Sequence, residues 1–121
     1  ANTEKRCPMA HLEHQSCVKA CEECAEACER CASGCLNETD VKMMAECIRL
    51  DRDCAEVCWL AAGFMSRGST FSGALCRVCT GICEACGAEC AKHEHEHEHC
   101  QRCAEACRLC AVERRKMGLA A

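Results

Sequence analysis

The cysteines between residues 17 and 35 recur at the spacing of one face of an α-helix. They stand at positions 17, 21, 24, 28, 31 and 35, so successive steps are 4, 3, 4, 3 and 4 residues. Residues three and four apart lie on the same side of a helix, and this alternation matches the a and d positions of a heptad. Glu, Arg and Ala fill the other faces. The stretch therefore predicts a bundle helix that carries thiols where Leu usually stands.

The same arrangement recurs along the chain. Cys-Ala-Glu-Ala-Cys begins at Cys24 and again at Cys103, and steps of three and four also separate the cysteines of 76–90 and 100–110. Thiol rows in helical phase, separated by short polar turns, favour helices that pack side by side. We predict a single domain over 1–121, an all-α antiparallel up-down-up-down four-helix bundle with a Cys-lined core.

Turn-forming residues set the bounds of the predicted helices. Pro8 suits the first turn of a helix, and Gly34 with the polar run 37–40 is expected to end it. Thr39 or Asp40 can cap the second helix. We expect helices over about 8–35, 41–64, 71–92 and 100–116, with frayed ends at 1–6 and 118–121.

Cysteine is the main material from which this chain can build a core. It supplies 19 of 121 residues, against two Phe, one Trp and no Tyr. Disulfide scaffolds are loop-rich, and helical neighbours have Cβ atoms about 5–6 Å apart, against about 3.8 Å in a good disulfide. An odd number of cysteines also argues against full pairing. Either the thiols form the core themselves, or something that they bind does.

Charge and hydropathy exclude two classes of partner. The net charge is -4 and the basic residues are scattered, which is not the pattern of a nucleic-acid surface. No apolar run approaches the length that spans a bilayer. We expect no nucleic-acid partner and no membrane partner.

Rows of thiols indicate a soft metal ion. Soft ligands select Cu(I), Zn²⁺ or iron–sulfur clusters. Cu(I) accepts two thiolates in a line, and two bonds of about 2.3 Å span about 4.6 Å, close to the spacing of residues i and i+4. Each such pair can clamp one ion on its own helix, and bridging thiolates would bring the capacity towards one ion per thiol. The seven candidate pairs are 17/21, 24/28, 31/35, 54/58, 79/83, 86/90 and 103/107.

The candidate metal ligands are the eighteen cysteines in helical phase. They are Cys17, Cys21, Cys24, Cys28, Cys31, Cys35, Cys47, Cys54, Cys58, Cys76, Cys79, Cys83, Cys86, Cys90, Cys100, Cys103, Cys107 and Cys110. Weaker candidates, which can equally be packing or surface residues, are Cys7, His14, Met43, Met44, His97 and His99. Asp51 is in step with Cys47 and Cys54, and we expect it to form hydrogen bonds across the helix seam.

The two ends of the predicted bundle differ in chemistry. One end gathers Cys35, the Met43–Met44 pair and the His/Glu run 93–99, whereas the other carries apolar residues such as Trp59 and Phe64. Thioether and imidazole groups are ligands that suit Cu(I), although the two methionines can be core residues and the His run can equally be a solvated turn. We therefore predict that Cu(I) enters at the end that carries the His run.

The sequence resembles the bacterial copper storage proteins, a family of Cys-rich four-helix bundles. The resemblance covers about Cys17 to Cys110, and the segments that carry it are 17–28, 40–44, 49–54 and 97–103. It implies a lumen that holds many Cu(I) ions on Cys, a His- or Met-bearing open end and a homotetramer. The long His run and the additional Cys7 depart from the family pattern.

The predicted function is a non-enzymatic Cu(I) store that limits copper toxicity and holds copper for copper enzymes. A copper chaperone or a small-molecule carrier would supply the ions. The alternatives are a zinc or mixed-metal buffer of metallothionein type, an iron–sulfur electron carrier and a thiol redox enzyme. The family has cytosolic and exported branches. The run His97 to Cys100 and the high Cys content favour the cytosol, whereas a start at Ala1 tilts the expectation slightly towards export after removal of a leader.

Overall fold

The computed structural model describes residues 8–116, with side chains over 15–116. This part contains four α-helices, a 3₁₀ turn and no strand. The bounds are α1 Pro8–Leu36, the 3₁₀ turn Val41–Met44, α2 Ala45–Ser66, α3 Ser72–Ala91 and α4 Glu98–Lys116. The all-α prediction is confirmed, and α1 is helical from the first described residue, Pro8.

The helices form a square in which each packs against two others. α1 packs on α2 and α4, and α3 packs on α2 and α4, whereas the diagonal pairs make no comparable contact over the described residues. Short connections between consecutive helices make neighbours antiparallel. The structure is therefore the predicted up-down-up-down four-helix bundle, with all four helices bordering one axis. None of the described helices is long and apolar enough to cross a bilayer.

The interior consists almost entirely of cysteine and alanine. All eighteen described cysteines have no exposed surface, and the alanines beside them, such as Ala25, Ala55 and Ala61, are also buried. Among the side chains of 15–116, no Leu, Ile, Val or Phe is fully buried; Met44 and Met65 are the large apolar members of the core. The heptad spacing of the cysteines explains this composition of the interior, since it places every thiol on the inward face of its helix.

The predicted bounds around the first turn need correction. α1 continues through Gly34 to Leu36, and α2 begins at Ala45 after a 3₁₀ turn. Asp40 makes no side-chain capping bond. Its carboxylate instead lies 3.7 Å from the Nε2 atom of His97, which directly precedes α4.

Candidate metal centre

The thiols of all four helices point at a common axis. The eighteen described cysteines are free, and their Sγ atoms approach one another across helices at van der Waals distance. Cys47 lies 3.4 Å from Cys90, and Cys58 lies 3.5 Å from Cys79. The interior is therefore a continuous column of reduced sulfur, as predicted from the spacing.

Sulfurs from different helices converge into groups of four. The ligand atoms of Cys24, Cys28, Cys54 and Cys107, which come from three helices, all lie within 4.8 Å of one another. Two further groups of this kind are Cys24, Cys54, Cys58 and Cys83, and Cys28, Cys86, Cys103 and Cys107. The prediction of one clamp per helix missed this convergence because it considered each helix alone. Neighbouring groups share members, so one thiolate can serve two metal ions.

The sulfur separations decide which coordination needs the least movement. Same-helix pairs such as Cys54 and Cys58 lie 3.9 Å apart, and so do Cys79 and Cys83. A linear S–metal–S unit requires about 4.6 Å, whereas three sulfurs around one ion lie about 4.0 Å apart at a bond length of about 2.3 Å. A tetrahedral site at the same bond length spaces its sulfurs about 3.8 Å apart. Three-coordinate and four-coordinate sites therefore both fit the thiols as they stand, whereas linear sites need a small outward rotation of the side chains.

Asp51 is the acidic residue at the centre of this sulfur column. It has no exposed surface, and its Oδ1 atom accepts hydrogen bonds from the thiols of Cys86 at 3.1 Å and Cys103 at 3.2 Å. Burial, followed by the negative charges of Cys103, Cys86 and Cys47, raises the pKa of Asp51 to about 11. The carboxyl is therefore protonated at neutral pH, which explains how an acid is tolerated in phase with the thiols. The expected hydrogen bonds across the seam are present.

Burial raises the pKa of two thiols near opposite ends of the column. It is the first cause of the raised pKa of Cys76. In Cys35, burial followed by the charge of Cys47 raises the pKa to about 12. These thiols are protonated at neutral pH in the metal-free chain. Metal ions bind the thiolate, so loading at these positions must release protons.

His99 forms the innermost part of the end where α4 begins. Its Nδ1 atom lies 3.5 Å from the Sγ atoms of both Cys31 and Cys100, and 4.0 Å from that of Cys35. Its Nε2 atom donates to the Glu38 carboxylate at 2.8 Å. A carboxylate on one ring nitrogen fixes the tautomer and turns the lone pair of the other nitrogen towards a metal. His99 and the three thiols form a four-ligand group of mixed type.

His97 lies beside His99 and has no described hydrogen-bond contact with a thiol. The two rings are stacked, with centroids 5.3 Å apart, and the His97 Nδ1 atom lies 3.0 Å from the same Glu38 carboxylate. A surface cleft of about 500 Å³ opens beside them, lined on its flanks by Arg30 and Arg102. The cleft, the two imidazoles and the outermost thiols thus lie next to one another at this end.

Gly34 makes the position of the His99 ring possible. A Cβ atom at residue 34 would lie 2.7 Å from the Cδ2 atom of His99, closer than real side chains approach. The glycine thus lets the backbone of α1 approach the His99 ring closely, and this explains why α1 tolerates a glycine two residues before its end.

The sequence of this chain matches the family model of the copper storage proteins over residues 10–119. The chain belongs to the copper storage protein family. The resemblance seen in the sequence is confirmed, and the matched residues include every cysteine of the sulfur column.

Relatives of known structure share both the sequence and the fold. A cytosolic copper storage protein from Streptomyces lividans, solved during copper loading with five coppers, is 40% identical, with 93% of this chain and 97% of that chain covered and a TM-score of 0.88. The Cu(I)-bound copper storage protein BsCsp3 is 46% identical over 90% of this chain and 99% of that chain, with a TM-score of 0.83. A cysteine-rich protein of Bacillus subtilis strain 168, YhjQ, is 47% identical over 103 residues, which is 85% of this chain and 94% of that protein.

Of the weaker ligand candidates in this copper storage protein family member, the two methionines differ in burial. Met44 is buried in the core, but Met43 is 73% exposed, because the 3₁₀ turn places the two neighbours on opposite sides. The structure therefore does not place Met43 with the ligands. The side chains of Cys7 and His14 lie outside the described residues.

The buried Arg114, at the end of the bundle opposite His99, was not predicted from the sequence. This side chain has no exposed surface; its Nη2 atom contacts Cys21 Sγ, and its Nη1 atom lies 3.6 Å from Cys83 Sγ. Burial alone would lower the pKa of Arg114, but the charges of Cys110, Cys21, Cys79 and Cys83 raise it above its ordinary value. A signal was available, since one more step of four from Cys110 reaches position 114.

Proposed function

We propose that this chain stores Cu(I) ions on the thiolates of its core. The carrying observation is the column of eighteen buried, unpaired cysteines on four helices, which far exceeds the needs of one structural or catalytic site. The eighteen cysteines predicted from the sequence are the proposed ligands, joined by His99 at the end near Glu38. His97 is proposed to pass ions inward rather than to hold them.

The sharing of thiols between adjacent groups favours Cu(I) as the cargo. Cys28 belongs to two groups of four, and so does Cys54. A structural zinc site is normally closed by four ligands of its own, so neighbouring groups that share thiols cannot all be filled in that manner. Soft Cu(I) with bridging thiolates suits a continuous sulfur column. Relatives that carry copper in this fold support the same choice.

The wider role follows from storage. We propose that the chain is not an enzyme and that it buffers copper for other proteins, receiving ions from a chaperone or a small-molecule carrier at the His97/His99 end. Exposed apolar side chains on α2 and α3, including Trp59, Leu60 and Val78, support association into a homotetramer.

We place this activity in the cytosol. The slight preference for export, taken from the start at Ala1, gains no support from the relatives. One similar protein, from Streptomyces lividans, is described as cytosolic. Free thiols also persist best in a reducing compartment.

The decisive test is a titration of the reduced, metal-free protein with Cu(I) against a strong Cu(I) chelator. We expect many ions per chain, approaching one for each core thiol. Saturation at one or two ions would contradict storage. A parallel competition with Zn²⁺ tests the alternative of a zinc buffer. Displacement of Cu(I) by equimolar Zn²⁺ would assign the core to zinc. Visible absorption after anaerobic expression would instead indicate an iron–sulfur protein.

A further inference from the structure

The thiol row of α4 ends in a buried cation. Cys100, Cys103, Cys107 and Cys110 follow one another in steps of 3, 4 and 3, and the next inward position is Arg114. Its side chain is fully buried, whereas the neighbouring Arg115 is exposed and pairs with Glu84. The end of the row is therefore occupied by a guanidinium group rather than by a thiol.

Among residues 15–116, no carboxylate forms an ion pair with this buried charge. The guanidinium of Arg114 also has an Nε atom without a hydrogen-bond partner among these residues. Its described contacts are the Sγ atoms of Cys21 and Cys83. A buried charge is stable only when it is paired, so sulfur must supply the partner.

A guanidinium and a Cu(I) ion make similar demands on sulfur. Both carry one positive charge, and both take up sulfur lone pairs, the first through N–H groups and the second through metal–sulfur bonds. The guanidinium cannot lose its charge in a protein. At this end of the column, the chain thus carries a fixed cation of its own in a place that a metal ion could otherwise fill.

We propose that Arg114 is a built-in substitute for one Cu(I) ion, which closes the far end of the store and limits its capacity there. The inference rests on the proposed storage function. A sulfur that accepts an N–H of Arg114 has one lone pair fewer for metal, so Cys21 and Cys83 cannot both bridge ions on the side that faces the guanidinium. The position between Cys21 and Cys83 that the guanidinium occupies is thereby closed to an ion.

The inference is tested by Cu(I) titration of four proteins. Arg114→Gln removes the charge and adds no soft ligand, and we expect it to bind about one ion per chain more than the parent. Arg114→Lys keeps the cation and should match the parent. Arg115→Gln removes an exposed charge one residue away and should also match it. Equal capacity in Arg114→Gln and the parent would overturn the inference while leaving storage intact.

A second measurement uses only the parent protein, in case Arg114→Gln does not fold. Anomalous scattering at the copper edge, from crystals of the fully loaded protein, locates every ion. We expect the guanidinium still in contact with Cys21 and no copper between Cys21 and Cys83. Copper at that position, with Arg114 displaced, would overturn the inference. A parent capacity of one or two ions would reject storage and this inference with it.

Discussion

The Nδ1 atom of His99 lies 3.5 Å from the Sγ atom of Cys31, so an imidazole at the start of α4 touches the thiol row of α1. The same ring is held from outside by Glu38. An ion that reaches His99 from the cleft is therefore already within reach of the outermost thiols. This contact gives the storage column an end at which loading can begin.

We predict that His97→Ala together with His99→Ala slows Cu(I) loading more than it lowers capacity. In the proposed store the thiols hold most of the ions, whereas the two imidazoles line the cleft beside the outermost thiols. Stopped-flow absorption at the Cu(I)–thiolate bands measures the rate, and titration measures the capacity. His95→Ala is the matched control, since His95 lies in the same run and is exposed. Equal loading rates in the double variant and the parent would contradict this route.

Gly34→Ala should destabilise the metal-free protein by roughly 1–3 kcal/mol, the usual cost of overpacking. The new Cβ atom would meet the His99 ring at 2.7 Å and push it away from the thiols. Chemical denaturation of the reduced protein measures the change. Gly81→Ala is the control, because a Cβ atom there has no neighbour within 4 Å. It should stabilise α3 by up to about 1 kcal/mol. The same sign for both substitutions would contradict the contact.

Asp51→Asn should stabilise the metal-free protein increasingly as the pH rises. The native pKa of Asp51 is about 11 and the ordinary value is 3.8, so between these values the native state keeps a proton that the unfolded chain has lost. The parent loses stability with rising pH by up to about 1.4 kcal/mol per pH unit from this group, whereas Asn remains neutral in both states. Urea denaturation at pH 5 and pH 8 measures the difference.

Asp53→Asn on the same helix is the control for this series, since that side chain is exposed. Its effect should not change between the two pH values. A pH-independent difference between Asp51→Asn and the parent would show that Asp51 is ionised in the native protein, contrary to its burial.

Copper loading should raise the melting temperature in steps, because bound ions link helices that otherwise share a core of small side chains. Ligands that bind the native state alone stabilise it by about 2.7 kcal/mol per site at a hundredfold excess over the dissociation constant. Calorimetry at increasing Cu(I) equivalents follows the rise, and removal of copper by a chelator should reverse it. A melting temperature that does not depend on copper would show that the ions bind outside the core.

The heptad phase of the cysteines was sufficient to predict the four helices and the burial of all eighteen described thiols. It was sufficient because the steps of three and four residues define a helix face without reference to any other part of the chain. The difference in burial between Met43 and Met44 could not be predicted from phase, since both lie in a 3₁₀ turn outside the heptad rows.

Features that depend on two or more helices escaped prediction. Groups such as Cys24, Cys28, Cys54 and Cys107 arise from the relative height of neighbouring helices, which no single row encodes. The partners of Asp51 could not be predicted for the same reason, because the thiols that it contacts lie on α3 and α4 as well as on its own helix. Whether the converging thiols all bind copper remains a prediction.

An interior built mainly of cysteine leaves few large side chains, such as Met44 and Met65, that only fill space. In an ordinary bundle, an engineer can exchange Leu for Met to tune rigidity without touching the active groups. Here, a larger apolar residue at Cys54 or Cys83 would remove a sulfur as it improved the fit. The metal capacity and the stability of the fold thus depend on the same cysteine positions, so a substitution at one of them changes both.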